Sequence, residues 1–224
     1  MKKPWTLLVA TTILLLVAPD RAHSLDIDAA SGRFGVAIVY NGSGLGTVSP
    51  VVNTLGGSIH ISFEEGFFLQ VQPALDLFWT NYEWNTDQAV PTEYERGQGN
   101  NAFVLGFLLD LPLTATARFN ERLGGAFSIG PAFLFRAAFA NDDTAEYEDE
   151  MTANLASMIA YFWSDGRWYY PSAGLRLHVF LQENFTFAFG VRGFMPVAGL
   201  WLGAADVFNE GILQVGMSML VDIE

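Results

Sequence analysis

Three absences limit what this chain of 224 residues can be. It has no cysteine, so an exported form must keep its fold without disulfides, which argues against a small disulfide-stapled domain. Its only lysines are Lys2 and Lys3, so arginine supplies every other permanent side-chain cation. Beyond the amino-terminal region, no stretch reaches the roughly 18 uninterrupted apolar residues that a membrane helix requires.

The charge balance excludes one class of partner. Acidic residues outnumber Lys and Arg by 24 to 11, which gives a formal charge of −13 at pH 7. Such an acidic chain repels phosphate backbones, so we exclude nucleic acid as a ligand.

The first 24 residues are typical of a secretory signal peptide. Lys2 and Lys3 precede an apolar run over residues 7–18, and small residues at Ala22 and Ser24 stand where a signal peptidase reads the chain. The run is too short to span a bilayer comfortably. We therefore expect residues 1–24 to be removed on export, and residues 25–224 to form one domain.

The clearest structural signal is a pair of alternating segments within residues 101–139, joined at Asn120, Glu121 and Arg122. Large apolar side chains occupy every second position, and small or polar residues fill the positions between them. The apolar set includes Phe103, Leu105, Phe107, Leu109, Phe127, Ile129, Phe133 and Phe135. A period of two places each set on one face of a strand. A soluble sandwich would bury the phenylalanine face, whereas a transmembrane barrel would turn it toward lipid.

Alternation continues through the rest of the chain and predicts eight strands. They cover residues 34–40, 59–63, 69–79, 101–119, 127–139, 173–179, 185–191 and 213–223. The connections alternate between tight turns, such as 64–66, 120–122 and 182–184, and long polar loops, such as 41–55 and 81–100. An apolar chain without a membrane helix, with an even strand count and alternating loop lengths, indicates an all-β antiparallel up-and-down transmembrane β-barrel. Ten strands would result if the irregular stretch from 141 to about 170 crossed the membrane once and residues 197–208 crossed as well.

One region does not fit the strand pattern. Met151, Leu155, Met158, Ile159 and Phe162 recur at helical spacing. The segment is expected to be either a short helix in the third long loop or a strand pair that extends the barrel rim.

Residues 111–119 and 127–133, which contain Pro112 and Pro131, resemble the fourth and fifth strands of small eight-stranded outer-membrane proteins. The resemblance is first to the OmpW type, with the OmpX type and the OmpA membrane domain nearby. It implies a narrow, apolar-lined conduit for small hydrophobic compounds. Two features depart from the pattern: the chain ends in Asp222, Ile223 and Glu224 instead of Phe or Trp, and the predicted lumen is charged.

Charged residues on the inward faces are the candidate site. They are Asp76, Asp110, Arg136, Arg176 and Arg192. Counting from the nearest tight turns places all but Arg136 roughly 15–23 Å above the turn side of the barrel. Buried charges should pair. The pairs would form either a plug that fills the barrel, the reading we favour, or a gate in a small pore.

Other candidates carry less weight. Aromatic residues near the outer strand ends are expected at the membrane interface. They are Trp79, Tyr82, Trp84, Trp163, Trp168 and Tyr169. The acidic loop with Asp142, Asp143, Glu146, Glu148, Asp149 and Glu150 does not match a calcium-binding pattern and is expected to be solvated. His60 between Ser58 and Ser62 shows no orienting acid for Ser–His chemistry.

The sequence therefore predicts an integral outer-membrane barrel of a diderm bacterium, which is not an enzyme and has no cofactor or metal. Its first predicted role is passage or binding of small, hydrophobic solutes. The alternative is a closed structural or surface-interaction protein of the adhesin-like kind. Expected partners are outer-membrane lipid, the barrel assembly machinery and surface ligands at the long loops.

Overall fold

The computed structural model describes residues 26–42, 48–62, 69–93, 100–140, 148–182, 184–197 and 210–223. Within them the chain forms eleven strands and one α-helix. These are β1 (Asp26–Val39), β2 (Val51–Ser62), β3 (Leu69–Val71), β4 (Ala74–Asn85), β5 (Gln88–Thr92), β6 (Asn101–Asp110), β7 (Leu113–Arg118), β8 (Leu123–Ala140), α1 (Glu148–Trp163), β9 (Tyr169–Gln182), β10 (Phe185–Phe194) and β11 (Ile212–Asp222). The predicted signal peptide, the turn at 64–66 and most of residues 197–208 lie outside the described residues.

The strands close into a ring of eight antiparallel members. β3 and β4 together form one member and β6 and β7 another, so the order around the ring is β1, β2, β3/β4, β6/β7, β8, β9, β10 and β11. β11 pairs with β1 from Val39–Ile212 to Ala29–Asp222, which closes the sheet. Closure satisfies the backbone groups that an open edge would leave unpaired. The prediction of an all-β, antiparallel, eight-stranded barrel is confirmed.

The faces of the barrel follow the alternation in the sequence. On β1 Phe34 is 55% exposed whereas Ala37 is 1% exposed, and on β11 Val215 is 51% exposed between buried Gln214 and a glycine. The outward apolar positions of β11, from Leu213 to Val221, span about 20 Å along the barrel axis for strands tilted by roughly 40°. That height is close to the apolar band, about 25 Å tall, of outer-membrane barrels.

Several strand boundaries differ from the predictions, and β1 begins at Asp26 instead of at residue 34. β2 begins at Val51, although residues 41–55 were expected to be a loop, because ring closure pairs these residues with β1. β4 continues to Asn85, turns at Thr86 with φ 55°, and pairs with β5, although residues 81–100 were expected to be a loop. Asn81, Asn85, Asp87 and Pro91 obscured this hairpin because Asn, Asp and Pro are depleted in strands.

The predicted fourth strand is interrupted at Leu111 and Pro112. Proline has no N–H to donate to a ladder, and here its carbonyl instead accepts a bond of 3.0 Å from the amide of Gln72. The amide of Leu111 donates to the Pro131 carbonyl at 2.9 Å. The chain therefore crosses the wall as β6 and β7, with the break bridged by these bonds.

Residues 151–162 belong to a helix, so the helical alternative is confirmed and the strand pair is wrong. α1 and a following 3₁₀ turn (Ser164–Gly166) connect β8 to β9. Met158 and Phe162 are buried against Tyr82 and Val104 at the end of the barrel that carries the long connections. We call this the loop end, and the opposite end, with the tight turns, the turn end. No helix in the described ranges has the length and apolar content to cross a bilayer.

Candidate functional site

Arg192 occupies the centre of the barrel interior and bridges two acids. Its guanidinium contacts the Asp76 carboxylate, and its Nη1 donates to Asp110 Oδ2 at 2.6 Å. It also donates to Gln214 Oε1 at 2.6 Å. Asp76 and Asp110 are 1% and 0% exposed, so both charges are fully desolvated and require the cation.

A second cation, Arg33 on β1, completes this arrangement by contacting Asp76. Arg33 and Asp76 flank Gly56 on β2, in register with both. A side chain at Gly56 would collide with the Asp76 carboxylate, so glycine leaves the space in which the ion pair forms. We call Arg33, Asp76, Asp110 and Arg192 the central charge layer.

Neutral groups complete the hydrogen bonding of the central charge layer. Ser172 Oγ donates to Asp110 Oδ1 at 2.7 Å, and Gln214 Nε2 donates to Thr54 Oγ1 at 2.9 Å. Arg176 was expected to face the acids, but its guanidinium donates to Gln72 on the turn side of the layer. The reason is position: Gln72 precedes Asp76 by two inward positions on the same wall.

Arg136 lies apart from the other predicted charges, toward the loop end. Its Nη1 donates to Glu210 Oε2 at 2.7 Å and its Nη2 donates to the Arg167 carbonyl at 2.9 Å. The guanidinium carbon lies 4.2 Å from the centre of the Phe162 ring. Glu210 also accepts a bond of 3.3 Å from the Tyr170 hydroxyl. We call these residues the lid cluster, since they join α1 to the inner wall.

Nearby, α1 carries a partly buried phenol, that of Tyr161. The guanidinium carbon of Arg167 lies 3.9 Å from the centre of the Tyr161 ring. Burial raises the pKa of the Tyr161 hydroxyl, so the phenol stays protonated and neutral around physiological pH.

An apolar layer separates the lid cluster from the central charge layer. It consists of inward side chains on several strands that are nearly inaccessible to solvent. Its larger members are Phe78, Leu108, Leu134, Tyr170 and Phe194. Charge pairs and packed rings therefore close the interior in succession, as expected for an eight-stranded barrel that is just wide enough for its own side chains.

The interior opens toward the turn end. A cavity of about 40 Å³ lies directly beneath the central charge layer and is lined by Arg33, Arg176 and Gln214 among others. A cavity of about 600 Å³ follows, with Asp28, His60 and His178 in its wall. We call the larger cavity the vestibule.

His60 sits at the inner part of the vestibule in a network of neutral groups. Its Nδ1 lies 3.1 Å from Gln72 Nε2 and its Nε2 lies 3.4 Å from Ser58 Oγ. A hydrolytic Ser–His pair needs an acid on the second ring nitrogen, and here an amide takes that place.

The predicted interface aromatics divide into two groups. Trp79, Trp163 and Trp168 are 43%, 49% and 37% exposed on the outside, and Tyr169 packs beside Phe133 with ring centres 5.7 Å apart. Those four residues lie on the outer side of the barrel, and their place at a membrane interface stays a prediction.

Tyr82 and Trp84 point the other way. Tyr82 is 0% exposed and packs edge-to-face with Phe162 at 5.1 Å, so its placement at a membrane interface is wrong. Trp84 is half-buried, with its ring 6.0 Å from that of Tyr161 on α1. Both continue the inward parity of Ala74 and Asp76 because β4 extends beyond Trp79.

Part of the acidic loop forms the first turn of α1. Asp149 and Glu150 are exposed there, as expected for a solvated loop, and the positive end of the helix dipole favours acids at this end. Asp142, Asp143 and Glu146 lie outside the described residues, and Glu148 opens the helix.

Sequence reasoning missed Arg33 and Glu210. Arg33 has the same parity as Gly35 and Ala37, so extending the first strand by one position would have placed it inside. Glu210 adopts φ 68° in the approach to β11, where no periodicity operates, and local sequence offers no signal for its inward position.

No protein-family model matches the chain, and no curated protein sequence does either. Solved structures do match. Neisserial surface protein A aligns with a TM-score of 0.54 at 6% identity, over 89% of this chain and 99% of that one. The amino-terminal β-barrel domain of Pseudomonas aeruginosa OprF gives 0.43 at 13% identity, over 89% and 100%. Ail, the attachment invasion locus protein of Yersinia pestis, gives 0.43 at 7% identity, over 88% and 99%.

At these identities the likeness concerns the fold alone. None of the three is of the OmpW type, so that resemblance stays a prediction. The chain is an all-β protein with a closed eight-stranded ring, and its structural neighbours are small outer-membrane β-barrel proteins.

Proposed function

We propose that the protein is an integral outer-membrane barrel whose interior is closed and whose surface at the loop end meets its partners. The observation that carries the proposal is the bridge from Arg192 to Asp76 and Asp110, backed by the apolar layer toward the loop end. An ion crossing the barrel would have to break the central charge layer and then pass packed apolar side chains, where only the Tyr170 hydroxyl, already bound to Glu210, could replace its hydration.

Membrane placement rests on the outer face. Outward apolar side chains such as Phe34, Leu175 and Val215 are between 51% and 60% exposed, and similar residues surround the ring. A water-soluble monomer rarely exposes so continuous an apolar surface. In a membrane the same surface contacts lipid chains, and the closed ring leaves the backbone satisfied.

The chemistry of the loop end indicates the partner class. The described exposed carboxylates there are Asp87, Glu93, Asp149, Glu150 and Asp165. Of the described arginines near them, Arg136 is buried in the lid cluster and Arg167 is stacked on Tyr161. An acidic face of this kind attracts cationic or neutral surfaces and repels polyanions.

Solute passage is the second candidate and has its own observation in favour. The vestibule and the cavity of about 40 Å³ lie in series and stop only at the central charge layer. If the ion pairs of the central charge layer broke and re-formed with other partners, the layer would act as the gate of a small pore. The hydrophobic-solute role implied by the OmpW resemblance belongs to this candidate.

Planar-bilayer recordings of the refolded protein separate the two candidates. The closed barrel should give no unitary steps, and the double variant Arg176→Ala, Arg192→Ala should also stay silent because the apolar layer remains. A bacterial porin reconstituted in the same lipid serves as the positive control. Reproducible steps from the wild type, or steps that appear or grow in the double variant, would replace the closed barrel with a gated pore.

A further inference from the structure

The vestibule has the size of a ligand site. Its volume of about 600 Å³ falls within the roughly 300–1,000 Å³ typical of small-molecule pockets. A sphere of that volume is about 10 Å across, which is close to the length of an extended tripeptide at ~3.3–3.6 Å per residue.

An unsatisfied group lies in the wall of the vestibule. His178 is 7% exposed, and its Nε2 has no hydrogen-bond partner within the described part of the chain. A buried polar atom without a partner destabilises the fold, so such an atom beside a cavity marks a position for an incoming polar group. The ring can donate or accept there, depending on its tautomer.

One side of the vestibule is acidic. Asp28 and Asp222 lie on the adjoining strands β1 and β11, where the Ile223 amide donates to the Asp28 carbonyl at 2.8 Å. The Asp28 carboxylate is held by neutral donors, Ser62 Oγ at 2.8 Å and Gln70 Nε2 at 3.4 Å. Among the described residues no cation forms an ion pair with it, so the carboxylate is oriented but its charge is not neutralised.

The opposite side is basic on balance, with two arginines and one acid, Glu121. Arg118 ends β7 and Arg122 precedes β8, and these strands stand four steps around the ring from β11 and β1. Arg118 is positioned by its Nη2 bond of 2.8 Å to the Glu121 carbonyl and by the Phe180 ring, 4.5 Å from its guanidinium carbon. Both arginines line the same cavity as Asp28 and Asp222, and Glu121 is a third acid in its wall.

The geometry points to short peptides with free termini as ligands of the vestibule. The terminal ammonium would lie against Asp28 and Asp222, the terminal carboxylate against Arg118 and Arg122, and a backbone polar group against His178. Charge separation across the cavity selects a zwitterion of two or three residues over a molecule of single charge, since each end then meets its opposite.

Titration of trialanine into the refolded protein in non-ionic detergent, followed by calorimetry and by the NMR signals of His178, tests this inference. We expect saturable binding, with N-acetyl-trialanine amide at least tenfold weaker and each singly blocked peptide in between. Arg122→Gln and Asp222→Asn alter exposed rim side chains and should each weaken trialanine severalfold. Asp87→Asn, at the loop end, should not change binding.

Two results would overturn the inference: no binding of trialanine up to about 10 mM, or equal binding of trialanine and its doubly blocked form. Either result leaves the closed barrel untouched, since that proposal depends on conductance. Steps in the bilayer recordings would in turn leave the peptide site standing.

Discussion

Arg192 on β10 contacts Asp76 on β4, the strand directly opposite in the ring, across 116 positions of sequence. The contact crosses the lumen instead of running along the wall. It therefore ties two opposite walls together and at the same time occupies the path that a solute would take.

Replacing Arg192 by Met should strongly destabilise the barrel. The change leaves the fully buried Asp110 carboxylate without a cation and leaves Asp76 with Arg33 alone, and breaking a buried pair costs about 3–5 kcal/mol. Guanidinium unfolding of the refolded protein measures the loss of unfolding free energy. Arg122→Met, at an exposed turn position, is the matched control and should change stability by no more than about 0.5 kcal/mol.

Neutralising Asp110 should restore most of the stability that Arg192→Met removes. Among the described residues Asp110 forms an ion pair with Arg192 alone, whereas Asp76 keeps its contact with Arg33. With Asp110→Asn added, no buried carboxylate is left without a cation, so most of the lost stability should return. An Arg192→Met variant as stable as the wild type would show that the interior is wet enough to solvate the Asp110 carboxylate.

Gly174 should be far less tolerant of a methyl group than Gly193. A Cβ at Gly174 would lie 2.6 Å from Arg192 Cγ, whereas a Cβ at Gly193 meets no atom within 4 Å. Gly174→Ala should cost about 1–3 kcal/mol through overpacking. Gly193→Ala, on the neighbouring strand, should be neutral or slightly stabilising. Equal unfolding free energies for the two variants would mean that Arg192 can move aside freely.

Much of the fold could be predicted from the sequence because the alternation of apolar and polar residues is a local pattern. Alternation assigns Phe103 and Val215 outward and Asp76 and Arg192 inward from the sequence around them, without knowledge of the partners. The same rule, extended along β4, would also have placed Tyr82 inside. That error came from ending the strand at Trp79, and the parity itself was correct.

The contacts within the central charge layer and the lid cluster could not be predicted from the sequence, because they depend on how the ring of strands closes. Asp76 meets Arg33 only because β1 and β4 are separated by a single strand that carries glycine at the crossing. Glu210 reaches Arg136 from a segment with no periodicity. Pairing in a barrel is decided by register and closure, which residue spacing within one strand does not encode.

Phe162→Ala should loosen α1 without unfolding the barrel. Phe162 is 2% exposed, packs on Tyr82 and lies over the Arg136 guanidinium, so truncation removes both contacts. Phe→Ala in a packed site costs about 3–5 kcal/mol. Hydrogen exchange of the α1 amides should accelerate while the amides of β10 stay protected. Ile159→Ala, at a position 40% exposed on the same helix, should leave exchange nearly unchanged.

Val215→Arg tests whether the outer face meets lipid. Val215 is 51% exposed at the middle of β11, between Val36 and Val191 on the adjoining strands. Arginine on the lipid face costs about 2–4 kcal/mol at the bilayer midplane and about 0–1 kcal/mol near the interface. We therefore expect a large loss of unfolding free energy in vesicles for Val215→Arg, and a small one for Val221→Arg near the strand end.

The same pair of variants distinguishes a membrane barrel from a soluble one. Val215 and Val221 are almost equally exposed, at 51% and 50%, so water on the outer face would make both substitutions nearly neutral. The two variants should differ in stability only if the polarity of the surrounding medium changes along the barrel axis. A difference of 1 kcal/mol or less between the two variants in vesicles, within the ~0.5 kcal/mol scatter of each surface substitution, would remove the membrane placement. A larger penalty at Val215 supports hydrocarbon at the middle of β11, because the exposure of the two sites is almost the same.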